Sequence, residues 1–383
     1  MSMIILNWRK SVFWVLMLLL SSCVEPYEPE VIQARNSFLV VSGFLNVNGP
    51  TTIQLSRTQN LSDQSMPIFE ERASVFIEEE QGGQHRLWEL GSGTYTISGL
   101  DLNVGSKYRL FIRTAAGKEY ASDYVAVKQT PAIDEVSWEA GSEGLEIFVS
   151  THDPKNDTWY YRWEYEDTWE YTSAYDTNLK FVNGEVVYRE YGELGIYRCW
   201  RTEASKTIKL GTSTKLSQDV IHAYPLLSVP SNSSKLLYKY SVLVKQYALT
   251  REAYQYWETL KKNTESIGTL FDPLPSQLTG NIHSLSDPSE LVVGYIAASS
   301  VQEKRLFVSN DELPKNWRGT YPTCVLDTIP VAEAPDYFET GYNMPVGEIM
   351  PPMGTVVTDY TYAKKECVDC RLFGTNIKPD FWE

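Results

Sequence analysis

A chain of 383 residues exceeds the roughly 100–200 that one domain usually holds, so two domains behind a targeting segment are expected. With 43% hydrophobic and 22% charged residues it has enough apolar side chain for a core, which excludes a disordered chain. A formal charge of −15, with no dense Lys or Arg cluster, excludes a nucleic-acid partner, because phosphate binding needs a basic footprint.

Arg9-Lys10 begins a positive segment, and Ser11 to Leu20 is a short apolar run. A bilayer span wants about 20 apolar residues, and this run is about half that, so residues 1–22 read as a secretory signal peptide. Leu20-Ser21-Ser22-Cys23 follows directly and resembles the bacterial lipobox, in which small residues fit the signal peptidase and the cysteine thiol takes up diacylglycerol. Cys23 is therefore the expected lipidation site. Buried acyl CH₂ groups contribute about 0.8 kcal/mol each, so several chains anchor a protein stably. Residues 23–36 form an acidic tether; Glu25-Pro26-Tyr27-Glu28-Pro29-Glu30 is broken by proline and should stay extended.

Residues 37–129 read as short strands between turns: Phe38–Leu45, Thr51–Ser56, Ala73–Glu78, Gly93–Ile97, Lys107–Ile112 and Tyr120–Val127. Tyr108, Leu110 and Ile112 alternate with Lys107, Arg109, Phe111 and Arg113, the pattern of one buried and one solvated face. An Ig-like β-sandwich is expected here. Thr130-Pro131 reads as a hinge into a larger β-rich domain, residues 130–383, so the whole chain is predicted to be mainly β.

That second region opens with strands near Val136–Trp138 and Leu145–Ser150, followed by an aromatic stretch containing Trp159, Tyr161, Trp163 and Trp169. Core and cross-strand packing is the plainer reading of these rings. Exposed at a site, they would stack on sugar rings or grip a partner. Thr250 is a plausible N-cap for one helix running to about Asn263, with Ala253, Tyr254, Trp257 and Leu260 at helical spacing and Lys261-Lys262 in its last turn. Asp272-Pro273-Leu274-Pro275 marks a loop, Val292–Ala298 a buried strand, and the Pro-, Gly- and Tyr-rich tail from about Pro330 to Lys365 reads as loop, a first guess for a partner-contacting surface.

Beside Cys23 the chain holds Cys199, Cys324, Cys367 and Cys370. An even number in an exported protein points to disulfides, with three connectivities open, and a bridge from the Cys367–Cys370 turn to Cys324 or Cys199 would staple the C-terminus to the body. Zinc is the sharper alternative for a Cys-x-x-Cys pair, but a second close pair is missing and His85, His152, His222 and His283 are scattered. No catalytic fingerprint is present, and neither an enzyme nor a cofactor is expected. Glu164 and Glu166 share a strand face as a glycosidase pair would, a coincidence to be expected among 49 acids. His152-Asp153-Pro154-Lys155-Asn156-Asp157 reads as a turn rather than a calcium site.

Several stretches together resemble the Bacteroidetes lipoprotein family called domain of unknown function 4249. They are the lipobox with Glu25-Pro26-Tyr27, Val40-Val41-Ser42-Gly43, Gly93-Thr94-Tyr95, Tyr160-Tyr161-Arg162-Trp163, Cys199-Trp200, Tyr240-Ser241-Val242-Leu243, Ala253-Tyr254-Gln255-Tyr256-Trp257, Pro275–Ile282, and the ending Cys367–Arg371 through Lys378–Trp382. The resemblance implies an outer-membrane lipoprotein, facing the periplasm or the medium and often encoded beside a SusC-like TonB-dependent barrel, with no established activity and no catalytic residues to transfer. Acidic residues soon after the lipidated cysteine also resemble the Bacteroidetes surface-export signal. The expected role is an accessory or ligand-binding component of nutrient uptake, the rivals being a surface hydrolase and a structural envelope protein.

Overall fold

Alternating side chains build the N-terminal body. Along Lys107–Arg113 the buried residues are Tyr108, Leu110 and Ile112, as a strand period of two requires. The structure, a computed structural model, describes residues 37–59, 66–265, 280–317 and 323–382 together with Leu278 and Gly319. The signal peptide, Cys23, the tether and the Asp272–Pro275 loop lie outside the described residues. Among the described residues no helix is long and apolar enough to cross a membrane.

Hydrogen-bonded neighbours run in the order Lys107–Arg113, Ser74–Glu79, Gln84–Gly91, Thr94–Ile97, Thr51–Arg57, Leu39–Asn46, Ala298–Ser299, Val125–Lys128. The last pairs back onto the first through Tyr108 and Val125. Gln84–Gly91 is a strand that the sequence pattern does not announce. Only Leu87 in it is buried, and it forms because Ser74–Glu79 and Thr94–Ile97 bond to it from either side.

The body is completed by a segment from far along the chain. Ile282–Ser284 pairs with Glu119–Ser122, Val292–Val293 lies parallel to Leu39-Val40, and Ala298–Ser299 lies parallel to both Leu45-Asn46 and Val127-Lys128. Ile282, Val292, Ile296 and Ala298 enter the same core as Leu39, Ile53 and Leu110. Burying each large aliphatic contributes about 1.5–3 kcal/mol, whereas doubling a connection's length costs only about 0.6 kcal/mol, so the distant segment is retained. Asn281 is buried and clips it, accepting from Ile296 N at 2.8 Å and donating to Ile296 O at 2.9 Å. Gly294 sits at φ 142°, where an added Cβ would lie 2.2 Å from Val41 O. Gly294→Ala should therefore cost more than about 1 kcal/mol, read as a lower denaturation midpoint; an unchanged midpoint would mean the backbone relaxes there freely.

The second body is a sandwich of its own. Ile133–Ala140, Gly144–His152 and Val220–Pro230 form one sheet. Arg198–Ala204, Tyr160–Thr172, Lys239–Ala248 and Val301–Ser309 form the other, with Lys209–Thr212 beside Tyr160–Trp163. Leu145, Ile147 and Val149 meet Tyr161, Trp163, Val242 and Val244 between them. The helix Arg251–Glu265 follows the last residues of the Lys239–Ala248 strand, with the Thr250 hydroxyl accepting from Ala253 N at 3.2 Å. That satisfies one of the donors a helix start leaves free. Ala253 and Tyr256 are its buried residues.

The expectation of a loop-like tail is overturned. Asp327–Pro330, Asp359–Lys364 and Asn343–Ile349 make a three-stranded antiparallel sheet, and Ala334–Phe338 is a second, short helix. Register breaks between Pro345 and Gly347, so the alternation that marks a strand is interrupted in sequence although the ladder continues. This sheet shares a small core with a hairpin, Leu179–Val182 and Glu185–Tyr188, through Leu179, Ile329, Ala334, Phe338 and Tyr360. The four cysteines pair as disulfides, and the Cys367–Cys370 turn is stapled to both candidate partners: Cys199–Cys370 and Cys324–Cys367.

Candidate ligand groove

The aromatic stretch does not form an exposed platform. Tyr161 and Trp163 are fully buried and Trp169 is 5% exposed, while Trp159 is half-buried in left-handed backbone at φ 53°. Tyr160–Thr172 is an inner strand of its sheet, bonded on both sides, so its inward residues must fill the sandwich. Trp163 stacks on Tyr161 and Tyr224 with centroids 5.8 and 4.5 Å apart, and its Nε1 donates to Gln246 Oε1 at 2.8 Å. The Tyr161 hydroxyl donates to buried Asp219 at 2.7 Å; burial, then this carboxylate, pushes its pKa upward. Trp169 lies beneath Lys235, 4.3 Å from its centroid.

The acids singled out by spacing are likewise committed. Glu164 accepts from Arg162 and Tyr247, each at 2.7 Å, and Glu166 pairs with Lys245. Asp153 accepts from Lys155 N, Asp157 N and the Thr158 hydroxyl, at 2.9, 3.1 and 2.9 Å. Burial works against its charge, but these donors prevail and hold its pKa below the usual carboxylate range. The run is the turn its composition suggests.

A groove opens instead where the hairpin, the loop after it and the C-terminal segment meet. Asn183 and Gly184 both have positive φ, 53° and 87°, the two-residue turn that matches strand twist. The flanking strands carry Tyr188 to the rim. Downstream, Tyr191, Tyr197 and Trp200 line a cavity of about 720 Å³ together with Asn178, Arg189, Glu190, Arg198 and Asn376. A second cavity of about 220 Å³ shares Asp176, Thr177, Asn178 and Tyr188 with the first. Tyr188 is 62% exposed and Tyr191 fully so. Sequence inspection passed these rings over, yet Phe181-Val182-Asn183-Gly184-Glu185-Val186 is among the strongest local hairpin signals.

The groove is held rigidly. Cys199, next to Trp200 of the wall, is bridged to Cys370, and Trp200 and Thr375 exchange backbone hydrogen bonds at 2.8 and 2.9 Å. Asn376 Nδ2 donates to Gly195 O at 2.9 Å. The Tyr188 hydroxyl donates to Glu348 Oε2 at 2.5 Å, which raises its pKa and fixes the ring's direction. Lys180 Nζ and Arg189 Nη1 bind the two Glu193 oxygens at 2.9 and 2.8 Å. The Lys180 hydrogen bond is the largest influence on Glu193, and its pKa lies below the usual range, so it stays anionic. Among the described residues the buried polar atoms without a partner are Arg162 Nε, Arg189 Nε and Trp200 Nε1. Two of those three donors lie on residues that line this groove, buried behind its surface.

No curated protein matches the chain. Among solved structures it is similar to a two-domain fibronectin type III segment from chicken tenascin, at 13% identity and a TM-score of 0.17, covering 55% of this chain and 89% of that one. A cytokine receptor complex follows at 12% identity and a TM-score of 0.18, covering 54% and 84%. Superpositions that partial carry no argument, and the sandwich assignment rests on strand pairing. The sequence model of the family described as Domain of unknown function (DUF4249) matches residues 24–305, more than half of the chain, and the protein belongs to that family.

Proposed function

We propose that the protein is a lipid-anchored, outer-membrane accessory component of a TonB-dependent nutrient-uptake system, and that it binds rather than cleaves its ligand. The observation that carries the binding half is the groove itself, in which open tyrosine rings stand beside a carboxylate pinned as an anion. A glycoside hydrolase needs two carboxyl groups across the bond, one held protonated by a raised pKa. Glu193, bound at both oxygens by Lys180 and Arg189, is not free to serve as that acid. Mixed polar groups around open rings, on a rigid support, suit reversible recognition. The lipobox ending at Cys23 and the family resemblance support the membrane half.

The test is affinity purification of the tagged full-length protein from outer membranes in mild detergent, with mass spectrometry of what co-elutes. One TonB-dependent barrel in stoichiometric amount is the expected result. Recovery of the lipoprotein alone would sink the stable complex.

A further inference from the structure

We infer that the groove beside Tyr188 and Tyr191 takes a neutral oligosaccharide chain, a conclusion that rests on reading the protein as a ligand-binding component. Shape is the first argument. The larger cavity falls within the roughly 300–1,000 Å³ of sites that hold ligands of a few rings. The smaller one continues it past Tyr188 through shared Asp176, Thr177 and Asn178. An extended ligand passing Tyr188 touches both.

Chemistry narrows the class. Aromatic rings offer flat apolar faces, which the C–H face of a pyranose covers, and Tyr188 is held in place by Glu348 before any ligand arrives. Around the rings the wall alternates acceptors and donors. Asp176 and Glu190 accept only, Arg198 donates only, and Asn178 carries both kinds of group. A hydroxyl also does both, so a polyhydroxylated chain uses every part of such a wall. A polyanion would meet Asp176, Glu190 and a chain of net charge −15. A basic peptide would find the strongest carboxylate of the wall, Glu193, already saturated by Lys180 and Arg189, with the Arg198 guanidinium, itself 3.2 Å from Glu170, close by.

The experiment titrates full-length protein in mild detergent with neutral glucan, xylan and mannan oligosaccharides, a lysine-rich peptide, and an acidic galacturonan fragment. Calorimetry and tryptophan emission, with Trp200 in the wall, are the readouts. One neutral series is expected to bind. Tyr188→Ala and Tyr191→Ala should each weaken it about tenfold, the loss expected on truncating an aromatic anchor. Tyr188→Phe, which keeps the ring, should weaken it much less, and Trp88→Ala on the N-terminal body should leave it unchanged. Because Tyr191 is fully exposed, its replacement tests the groove without disturbing the fold. Absence of neutral-glycan binding, preference for either charged probe, or affinity indifferent to Tyr191→Ala would overturn the inference. Barrel co-purification with the Tyr191→Ala protein separates the two ideas. A barrel that still co-elutes while no glycan binds leaves the uptake role standing and removes this one, and glycan binding without a barrel does the reverse.

Discussion

Replacing Cys199 and Cys370 together by alanine is expected to lower the unfolding free energy by about 2–5 kcal/mol. The bridge joins residues 171 apart, and a cross-link acts chiefly by restricting the unfolded chain, the more so for longer loops. The native side adds to this. Both cysteines are essentially buried, and the segment they tie down carries the Trp200–Thr375 pairing and the Tyr171 hydroxyl bond to Cys370 O at 2.6 Å. Cys324–Cys367 spans only 43 residues. In the same chain-entropy account its removal should cost about 1 kcal/mol less. Denaturant titration of the two double variants checks the order, and limited proteolysis should find new cleavage within residues 366–382 first. Equal midpoints in wild type and the Cys199/Cys370 variant would show that the tail is held without this bridge, by its hydrogen bonds and the remaining Cys324–Cys367 disulfide.

Trp163→Ala should cost about 3–5 kcal/mol, the range for truncating a large aromatic in a core. Nothing of the ring is exposed. Its loss opens a cavity between Tyr161 and Tyr224 and leaves Gln246 Oε1 without its donor, a buried acceptor whose desolvation alone costs about 1–3 kcal/mol. Gln246 cannot turn to water, because its Nε2 is held by Pro131 O at 2.8 Å and Thr151 Oγ1 at 3.0 Å. Trp163→Phe should fall between wild type and Trp163→Ala, since it restores ring packing but not the hydrogen bond. Trp88, 64% exposed, provides the contrast: Trp88→Ala should stay within about 0.5 kcal/mol. The comparison is made on denaturation midpoints at constant m-value. A Trp163→Ala loss below that of an ordinary surface change would mean that the ring does not fill the core and that the aromatic stretch is open to ligand after all.

Much of the fold was legible along the chain. Tyr108, Leu110 and Ile112 declare their face by period two, and Thr250 with Ala253 and Trp257 declares the helix by cap and spacing, because these signals are local. The rest was hidden for definable reasons. Gln84–Gly91 is a strand through its neighbours' bonding groups rather than its own pattern. In the tail, Pro345 and Gly347 break the alternation of a strand that the ladder nonetheless keeps. The Asn183-Gly184 turn was readable from local chemistry and marks the hairpin that brings Tyr188 to the groove.

By itself, then, the sequence determined the mainly β class, the alternating strands of the N-terminal body, the helix and the pairing of its four later cysteines as disulfides in some order, since each follows from composition or short-range periodicity. Only the tertiary structure decided the cysteine pairing, the recruitment of residues 282–299 into the N-terminal core, and which aromatics face a ligand. Those outcomes depend on contacts between residues far apart in the chain. An aromatic on an inner strand and one on a hairpin rim look alike in sequence, and they are told apart by what packs over them.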